Sequence, residues 1–357
     1  MSGPSDAPTG PAASSVPLLL ALALLVGCGG GDGRSPLVIY SPHGRDLLSH
    51  FEAGYEREHP GVDVQWVDMG SQEVLDRVRS ERANPQADVW WGAPSGMFAR
   101  AAEEDLLAPF APSWSDAVPE VARDTAAGWV GTYRTPEVIA YNSDAVSREE
   151  APKDWDDVLE PRWRGDVLIR DPLASGTMRA IFGAVMWREY RRTGDPEAGF
   201  EWLLRLDAQT KDYVLNPTLL YQKLARQEGL VTLWDMPDIE TLRATTDMPI
   251  DYVLPESGTP VVIDAIAVVA GTEHPEAARA FVEWAGDRAQ VLEAARRFFR
   301  SPVREDLPPD SLPRWLREAL PEIVPMEMDR DYVREHTPEW LRRWDREVRG
   351  RGREAGY

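Results

Sequence analysis

A short polar turn between two apolar segments is the stretch of this sequence best suited to bind an anion. Ser175, Gly176 and Thr177 follow the apolar run 167–169 and precede apolar residues at helical spacing. The first N–H groups of a helix have no partner within the helix, and the positive end of its dipole points the same way. Gly176 allows a ligand close to the backbone, and the two hydroxyls can add hydrogen bonds. The turn therefore predicts an oxyanion site, although Ser175 alone also fits a simple helix cap.

Other candidate ligand-binding residues lie mostly in the turns that follow predicted strands. Those expected at the ligand are Ser41, His43, Gly70, Ser71, Gly92, Trp234 and Asp235. The pair Trp234-Asp235 could stack on and hydrogen-bond a sugar-like or cationic body, and Trp234 fits core packing equally well. Arg134, on an extended segment, could pair with an oxyanion through its fork of donors. Asp264 lies in an apolar run and needs a partner, either the ligand or an arginine near the hinge.

Three predicted strands in succession position the turns that contain Ser41, Gly70 and Gly92. They are predicted at 37–40, 62–67 and 88–91, and each is followed by a turn containing glycine or proline and then by a helix. This order predicts a parallel sheet wound with helices, whose loops after the strands meet at one edge. Residues 128–142 and 259–270 lack helical periodicity, so we expect two extended crossings on either side of a second α/β stretch.

The predicted fold class is therefore α/β, with two parallel-wound lobes joined by two extended hinge crossings. The expected limits are 37–138 plus 262–300 for lobe 1, 139–261 for lobe 2, and 301–357 for a C-terminal helical segment packed on a lobe. Two such lobes suit a clamshell that closes on a ligand held between them. Trp90 and Trp91 alternate on the third strand, so we expect one in the core and one near the cleft.

The N-terminal residues and the overall charge limit the possible locations and partners. A net charge of −21 over 357 residues argues against a nucleic-acid partner. Residues 16–26 form an apolar run too short for a comfortable bilayer span, and it leads to Cys28, the single cysteine. The run resembles a bacterial lipoprotein signal, although residues 1–17 lack the usual basic residues; an ordinary secretory signal is the alternative. The resemblance implies that 1–28 is a signal with a lipid on Cys28, that 29–36 is a glycine-rich tether, and that a bacterial membrane anchors the protein in the periplasm or at the cell surface.

Five short segments carry a family resemblance, namely 87–92, 136–142, 155–159, 171–177 and 255–259. Together they resemble the solute-binding proteins of ABC importers, in the branch with ferric-, thiamine-, polyamine-, phosphonate- and hexose-phosphate-binding members. The likeness covers the mature chain up to about residue 299. It implies a type 2 periplasmic-binding fold without a cofactor, acting as a monomer that delivers a small solute to permease subunits served by a separate ATPase.

The same resemblance limits the class of solute that we expect. Ferric-binding relatives imply two consecutive tyrosines where this chain has Met236-Pro237, and a glutamate where it has Ala93. His43 alone matches a family ligand, and one imidazole does not supply the anionic oxygens that ferric iron prefers, so no metal site is expected. Residues 175–177 and 256–259 are most similar to relatives that bind phosphorylated organic molecules. We therefore predict a solute with a phosphate- or phosphonate-like group.

Several alternatives remain open. A cation such as a polyamine or thiamine would be held by Asp235, Asp238 and Asp264, and ferric iron is a further alternative. A ligand sensor for a membrane receptor would use the same cleft. Residues 92–96 place their serine one position later than a nucleophile elbow does, and Cys28 is the only thiol, so the chain is not expected to be an enzyme.

Overall fold

The computed structural model describes residues 33–356. The predicted signal, the lipid attachment at Cys28 and the start of the tether lie outside these residues. The strands within them are β1 (Ser35–Ser41), β2 (Val62–Asp68), β3 (Val89–Pro94), β4 (Leu107–Ala108), β5 (Arg123–Asp124), β6 (Trp129–Asn142), β7 (Val167–Arg170), β8 (Thr210–Val214), β9 (Val231–Asp235), β10 (Ile250–Val253), β11 (Val261–Val269) and β12 (Ser301–Pro302).

Helices follow most of the longer strands. Within the described residues they are α1 (Arg45–Glu58), α2 (Ser71–Ser80), α3 (Ser95–Glu103), α4 (Gly176–Thr193), α5 (Glu197–Gln209), α6 (Pro217–Ala225), α7 (Met236–Thr245), α8 (Pro275–Ala285), α9 (Arg288–Phe298), α10 (Arg314–Ala319) and α11 (Arg330–Glu347). None of these is both long and apolar enough to cross a lipid bilayer.

The strand order confirms the predicted α/β class. The sheets run β2-β1-β3-β11-β6-β9-β7-β8, in which β1, β2 and β3 are parallel to one another while β11 and β6 pair antiparallel. Each of the first three strands leads directly into a helix whose apolar face is buried. The turns after these strands consequently gather at one edge of the lobe 1 sheet.

Helices cover both faces of the lobe 1 sheet, and this corrects the prediction for its two tryptophans. Trp91 packs edge-on against Phe51 and Phe281 on one face, whereas Trp90 stacks on Phe98 on the other face. Both tryptophans are fully buried. Alternation along a strand separates the two faces of the sheet, and here both faces are core.

The first crossing is a single strand that belongs to both lobes. Residues 129–136 of β6 pair with β11 in lobe 1, whereas residues 137–142 pair with β9 and β10 in lobe 2. At the change of partner, the Glu137 amide donates to the Pro260 carbonyl on the returning crossing, at 3.0 Å. We propose the lobe limits 37–138 with 262–300 and 139–261, and the change of partner between Pro136 and Glu137 lies within two residues of the first limit.

The C-terminal segment extends over both lobes, whereas the sequence predicted packing on one. The Trp315 indole donates to the Ala295 carbonyl of lobe 1 at 2.8 Å. Further along, the Thr259 amide on the second crossing donates to the Val324 carbonyl at 2.8 Å. Helix α11 then packs on α4, and its Trp344 is fully buried in the lobe 2 core. The segment therefore runs from lobe 1, along the hinge, to lobe 2.

The sequence predicts the last helix at 338–348, and helix α11 begins earlier, at Arg330. Asp329 caps it by accepting from the Tyr332 amide at 3.0 Å. The helix then continues through Pro338, because Tyr332 and His336 stack at 3.9 Å between ring centroids and Thr337 is buried. Packing against lobe 2 thus outweighs the helix-breaking tendency of an internal proline.

The chain end is fixed by a buried carboxylate, which gives a stability prediction. Asp207 accepts hydrogen bonds from the amides of Gly350 and Gly352, at 2.8 and 2.7 Å, and from the Tyr213 hydroxyl. We expect Asp207→Ala to lower the free energy of unfolding by about 3 kcal/mol, because it leaves buried donors without partners. Urea denaturation measures the change. The exposed variant Asp310→Ala serves as the control, and equal stability of the two variants would contradict this role for Asp207.

Candidate functional site

A cleft of about 800 Å³ lies between the two lobes. Turns that follow β1, β2 and β3 form its lobe 1 wall, turns that follow β7, β8 and β9 form its lobe 2 wall, and the hinge strands β6 and β11 contribute the rest. Predicted site residues that line the cleft are His43, Gly70, Ser71, Ser175, Gly176, Thr177, Trp234, Asp235 and Asp264.

The polar turn before α4 faces this cleft. Ser175 is the helix cap, because its Oγ accepts from the Met178 amide at 3.2 Å and its carbonyl accepts from the Arg179 amide at 3.0 Å. The amides of Gly176 and Thr177 therefore precede the first hydrogen bond within the helix. Capping and anion binding are compatible here, since the cap uses an acceptor lone pair of Ser175 and leaves its O–H free to donate.

A second helix start lies directly opposite. Helix α2 begins after Gly70, whose carbonyl accepts from the Val74 amide at 3.0 Å. A Cβ atom added to Gly176 would lie 2.7 Å from Ser71 Oγ and 2.8 Å from Pro94 Cδ. Only a glycine at this position allows the two lobes to approach so closely. The positive ends of two helix dipoles thus meet across the cleft.

Arg170 adds a full positive charge beside these helix starts, and sequence reasoning missed it. Its side chain lines the cleft and is buried, and its Nη1 donates to the Val214 carbonyl at 3.3 Å. Its Nη2 lies 3.9 Å from the position that a Cβ on Gly70 would take, and its Nε has no hydrogen-bond partner within residues 33–356. Burial lowers the pKa of this guanidinium, which still remains charged at neutral pH. An arginine that ends a buried strand immediately before the turn is the signal that could have identified it.

His43 forms part of the lobe 1 wall and explains two other predicted residues. Ser41 Oγ accepts from the His43 amide at 3.1 Å. Gly92 has φ +92°, and a Cβ there would lie 2.7 Å from His43 Nε2, so only glycine leaves room for the ring. Burial, together with the charge of Arg300, lowers the pKa of His43 well below its usual value. The imidazole is therefore neutral, and Ser41 and Gly92 act by holding it.

Acidic side chains converge from both lobes near the hinge. Glu137, Asp235, Asp238 and Asp264 all line the cleft. Arg300, also unanticipated from the sequence, reaches from lobe 1 to Asp238 of lobe 2, with 3.0 Å between Nη2 and Oδ1. Burial and the neighbouring carboxylates raise the pKa of Glu137 and of Asp235 well above ordinary values. This acidic cluster lies next to the helix starts, because the Thr177 hydroxyl donates to Asp235 at 3.4 Å.

Asp264 and Trp234 have partners within the protein. Asp264 accepts from the Thr135 hydroxyl at 2.6 Å, which satisfies one oxygen of a carboxylate in an apolar strand. The Trp234 indole donates to the Tyr221 hydroxyl at 2.9 Å, and its ring is nearly fully buried. Trp234 is thus a packed wall residue whose surface forms one side of the cleft.

Arg134 lies away from the cleft. Its Nη2 donates to the Val303 carbonyl at 3.3 Å and lies 3.7 Å from a Glu305 carboxylate oxygen. In the hinge strand its neighbour Thr135 points toward Asp264, so alternation directs Arg134 to the other side.

This geometry defines a two-lobed binding protein of the type 2 periplasmic-binding fold, with its site at the hinge. The chain belongs to the bacterial extracellular solute-binding proteins, whose family profile matches residues 52–315. These are transport-associated binding proteins found in the periplasm or outside the cell, and they supply ABC importers with their solutes. The resemblance noted in the sequence is thereby confirmed.

The names of individual relatives differ in whether they specify a solute. A probable ABC transporter periplasmic-binding protein of Sinorhizobium fredii is 26% identical over 321 residues, which cover 88% of this chain and 86% of that protein. A Salmonella typhimurium periplasmic protein, provisionally named for 2-aminoethylphosphonate binding, is 34% identical over 150 residues, or 42% of this chain and 41% of its own length.

Solved structures share the fold. The periplasmic binding protein AfuA of Actinobacillus pleuropneumoniae, with fructose-6-phosphate bound, has a TM-score of 0.74 at 21% identity and covers 89% of this chain and 99% of its own. Iron-bound HitA of Pseudomonas aeruginosa has a TM-score of 0.73 at 19% identity and covers 86% of this chain and 98% of its own.

Proposed function

We propose that this protein captures a small solute through a phosphate- or phosphonate-like group and delivers it to the permease of an ABC importer. The observation that carries the proposal is the meeting of two helix starts, at Ser71 and at Gly176, beside the buried guanidinium of Arg170. Amides, dipoles and a fixed charge all favour an oxyanion at this place. The same positive groups disfavour a metal cation at this place.

Binding acts by closure without chemistry. The oxyanion contacts α2 of lobe 1 and α4 of lobe 2 together, so it interacts more strongly with the closed state than with an open one. Contacts between the lobes support the same state: Arg179 donates to Gln72 across the cleft at 2.7 Å, and Arg300 pairs with Asp238. The permease would then recognise the closed form, and the protein would act as a monomer without enzymatic activity.

The relatives support an organic oxyanion over ferric iron. One is named for a phosphonate and a structural neighbour holds a sugar phosphate. An iron-bound neighbour also shares the fold. In this chain the positions expected for tyrosine ligands hold Met236 and Pro237, which are buried in the first turn of α7. Neither side chain can supply an anionic oxygen.

The proposed location follows the sequence prediction. We propose that residues 1–28 direct secretion, that a lipid on Cys28 anchors the protein to a bacterial membrane, and that residues 29–36 act as the tether. Metabolic labelling with a palmitate analogue tests the anchor, because Cys28→Ser should abolish incorporation.

The two hydroxyls of the turn provide a test of the oxyanion site. We expect the double variant Ser175→Ala/Thr177→Ala to bind ethylphosphonate about tenfold or more weakly in calorimetry, since each hydrogen bond to a charged group contributes about 1.5–3 kcal/mol. The double variant Ser80→Ala/Thr193→Ala, which lies away from the cleft, should retain the wild-type affinity. Unchanged affinity in the first variant would contradict the assignment of this turn to the oxyanion.

A further inference from the structure

Glu137 is a buried carboxyl group in the cleft, and its side chain has no hydrogen-bond partner in the part of the chain that the structure describes. It lies on β6 where the hinge strand passes from one lobe to the other, and it lines the cleft. It is fully buried, and neither Oε1 nor Oε2 has a hydrogen-bond partner within residues 33–356. A buried carboxyl group left in this state costs free energy, so it calls for a hydrogen-bond donor.

The other carboxylates of the acidic cluster already have partners. Asp264 accepts from Thr135, and Asp238 pairs with Arg300. Asp235 caps α7 by accepting from the Asp238 amide at 3.0 Å. Glu137 is therefore the member of the cluster that is available to an incoming group.

The charges of the cluster indicate what that group is. Among the described residues, Arg300 is the cation that pairs with the cluster of Glu137, Asp235, Asp238 and Asp264, and Asp238 already engages it. A neutral donor would satisfy hydrogen bonds but would leave ionisation of Glu137 opposed by burial and by the neighbouring carboxyl groups. A compact cation such as a primary ammonium supplies both donors and charge.

The acidic cluster and the oxyanion site are adjacent. Thr177, in the first turn of α4, donates through its hydroxyl to Asp235 at 3.4 Å, so one side chain contacts both regions. A ligand that fills both regions needs only a short spacer between its two charges. The cleft volume of about 800 Å³ accommodates such a molecule.

We propose, building on the proposed function, that the natural solute is dipolar: an ammonium group binds Glu137, and a short aliphatic spacer joins it to the oxyanion at the start of α4. Glu137 then acts as the residue that selects aminated solutes over their neutral analogues.

Binding of an ammonium group should release a proton. Burial and then Asp235, Asp264 and Asp238 raise the pKa of Glu137 well above its usual value, which favours the protonated carboxyl group when no ligand is bound. Arg300, the cation of the cluster, pairs with Asp238 and does not neutralise Glu137. A bound ammonium stabilises the carboxylate and lowers this pKa. Affinity for the aminated ligand should consequently rise with pH up to the pKa of the empty site and level off above it.

Three ligands of matched size test the proposal by calorimetry on the wild-type protein. They are ethylphosphonate, 2-hydroxyethylphosphonate and 2-aminoethylphosphonate. We expect the amine to bind at least tenfold more tightly than both others. Repeating the titrations in buffers of different ionisation enthalpy should reveal a proton released by the amine and not by ethylphosphonate, once the ionisation of each free phosphonate at the working pH has been measured and subtracted.

A substitution at Glu137 tests whether this residue causes the preference for the amine. Glu137→Gln keeps the shape and cannot ionise, so we expect the ratio of the dissociation constants of ethylphosphonate and 2-aminoethylphosphonate to fall to about threefold or less. Glu305→Gln, at an exposed carboxylate, is the matched control. If Glu137→Gln does not fold, the ligand series on the wild-type protein and the proton released there still test the proposal of a dipolar solute.

The possible outcomes distinguish the proposal of a dipolar solute from the proposed oxyanion-binding function on which it rests. If ethylphosphonate or the hydroxyl analogue binds as tightly as the amine, the dipolar solute is excluded and the oxyanion site stands. If putrescine binds and no phosphonate does, both proposals are wrong. If none of these ligands binds, the short dipolar solute is likewise excluded.

Discussion

Replacing Arg170 with methionine should weaken the binding of ethylphosphonate by about 100-fold or more. The guanidinium is buried beside the two opposed helix starts and has an Nε without a partner among the described residues. Two charge-assisted hydrogen bonds to an oxyanion contribute about 3 kcal/mol or more together, which corresponds to this loss of affinity. Methionine retains much of the apolar volume, so the change acts mainly through charge and hydrogen bonding.

Arg134→Met is the matched control for this prediction. It removes the same group from the hinge strand, where Arg134 contacts Val303 and Glu305 outside the cleft. Calorimetry should find the control within about twofold of wild type. If Arg134→Met lost affinity and Arg170→Met did not, the sequence prediction for Arg134 would be right and the oxyanion site would have to be moved.

The second large effect is expected at Gly176. A Cβ atom there would approach Ser71 Oγ and Pro94 Cδ of the other lobe to within 2.8 Å, and valine adds two further methyl groups. Overpacking of this kind costs about 1–3 kcal/mol, and here it acts on the closed state alone. We therefore expect Gly176→Val to weaken ethylphosphonate binding by about 30-fold and to keep the ligand-bound protein more extended in small-angle X-ray scattering.

The stability of the ligand-free variant distinguishes blocked closure from misfolding. The valine collides with the opposite lobe, so the melting temperature without ligand should change little. Gly61→Ala is a suitable control, because a Cβ at position 61 meets no atom within 4 Å. A Gly176→Val protein that closes and binds as the wild type does would show that the two helix starts do not meet in the bound state.

Periodicity in the sequence predicted most of the fold. The sequence predicts helices at about 275–285 and 288–298, and the structure has α8 and α9 there, while β6 and β11 occupy the two predicted extended crossings. These elements have strong local signals, namely apolar spacing, proline at a helix start and long β-branched runs. The start of the C-terminal helix was predicted wrongly, because the proline inside it is tolerated only through contacts with lobe 2.

The site was less accessible to sequence reasoning than the fold. The turn at 175–177 carries a recognisable signal. Arg170 carries a weaker one, as the last residue of a buried strand, and Arg300 carries none, since an arginine near a helix end is ordinarily solvated. Glu137 was read as part of an extended crossing, and nothing local distinguishes a buried, unpaired glutamate from an exposed one. Such residues acquire their roles from the way two lobes fold onto a shared hinge, which a single sequence does not display.

A crystal structure of the protein with bound ethylphosphonate is the most direct test of the central claim. The account predicts phosphonate oxygens within about 3.2 Å of the amides of Gly176 and Thr177 and of the Arg170 guanidinium, with the lobes closed around them. A phosphonate bound elsewhere, with this turn and Arg170 free of it, would contradict the account.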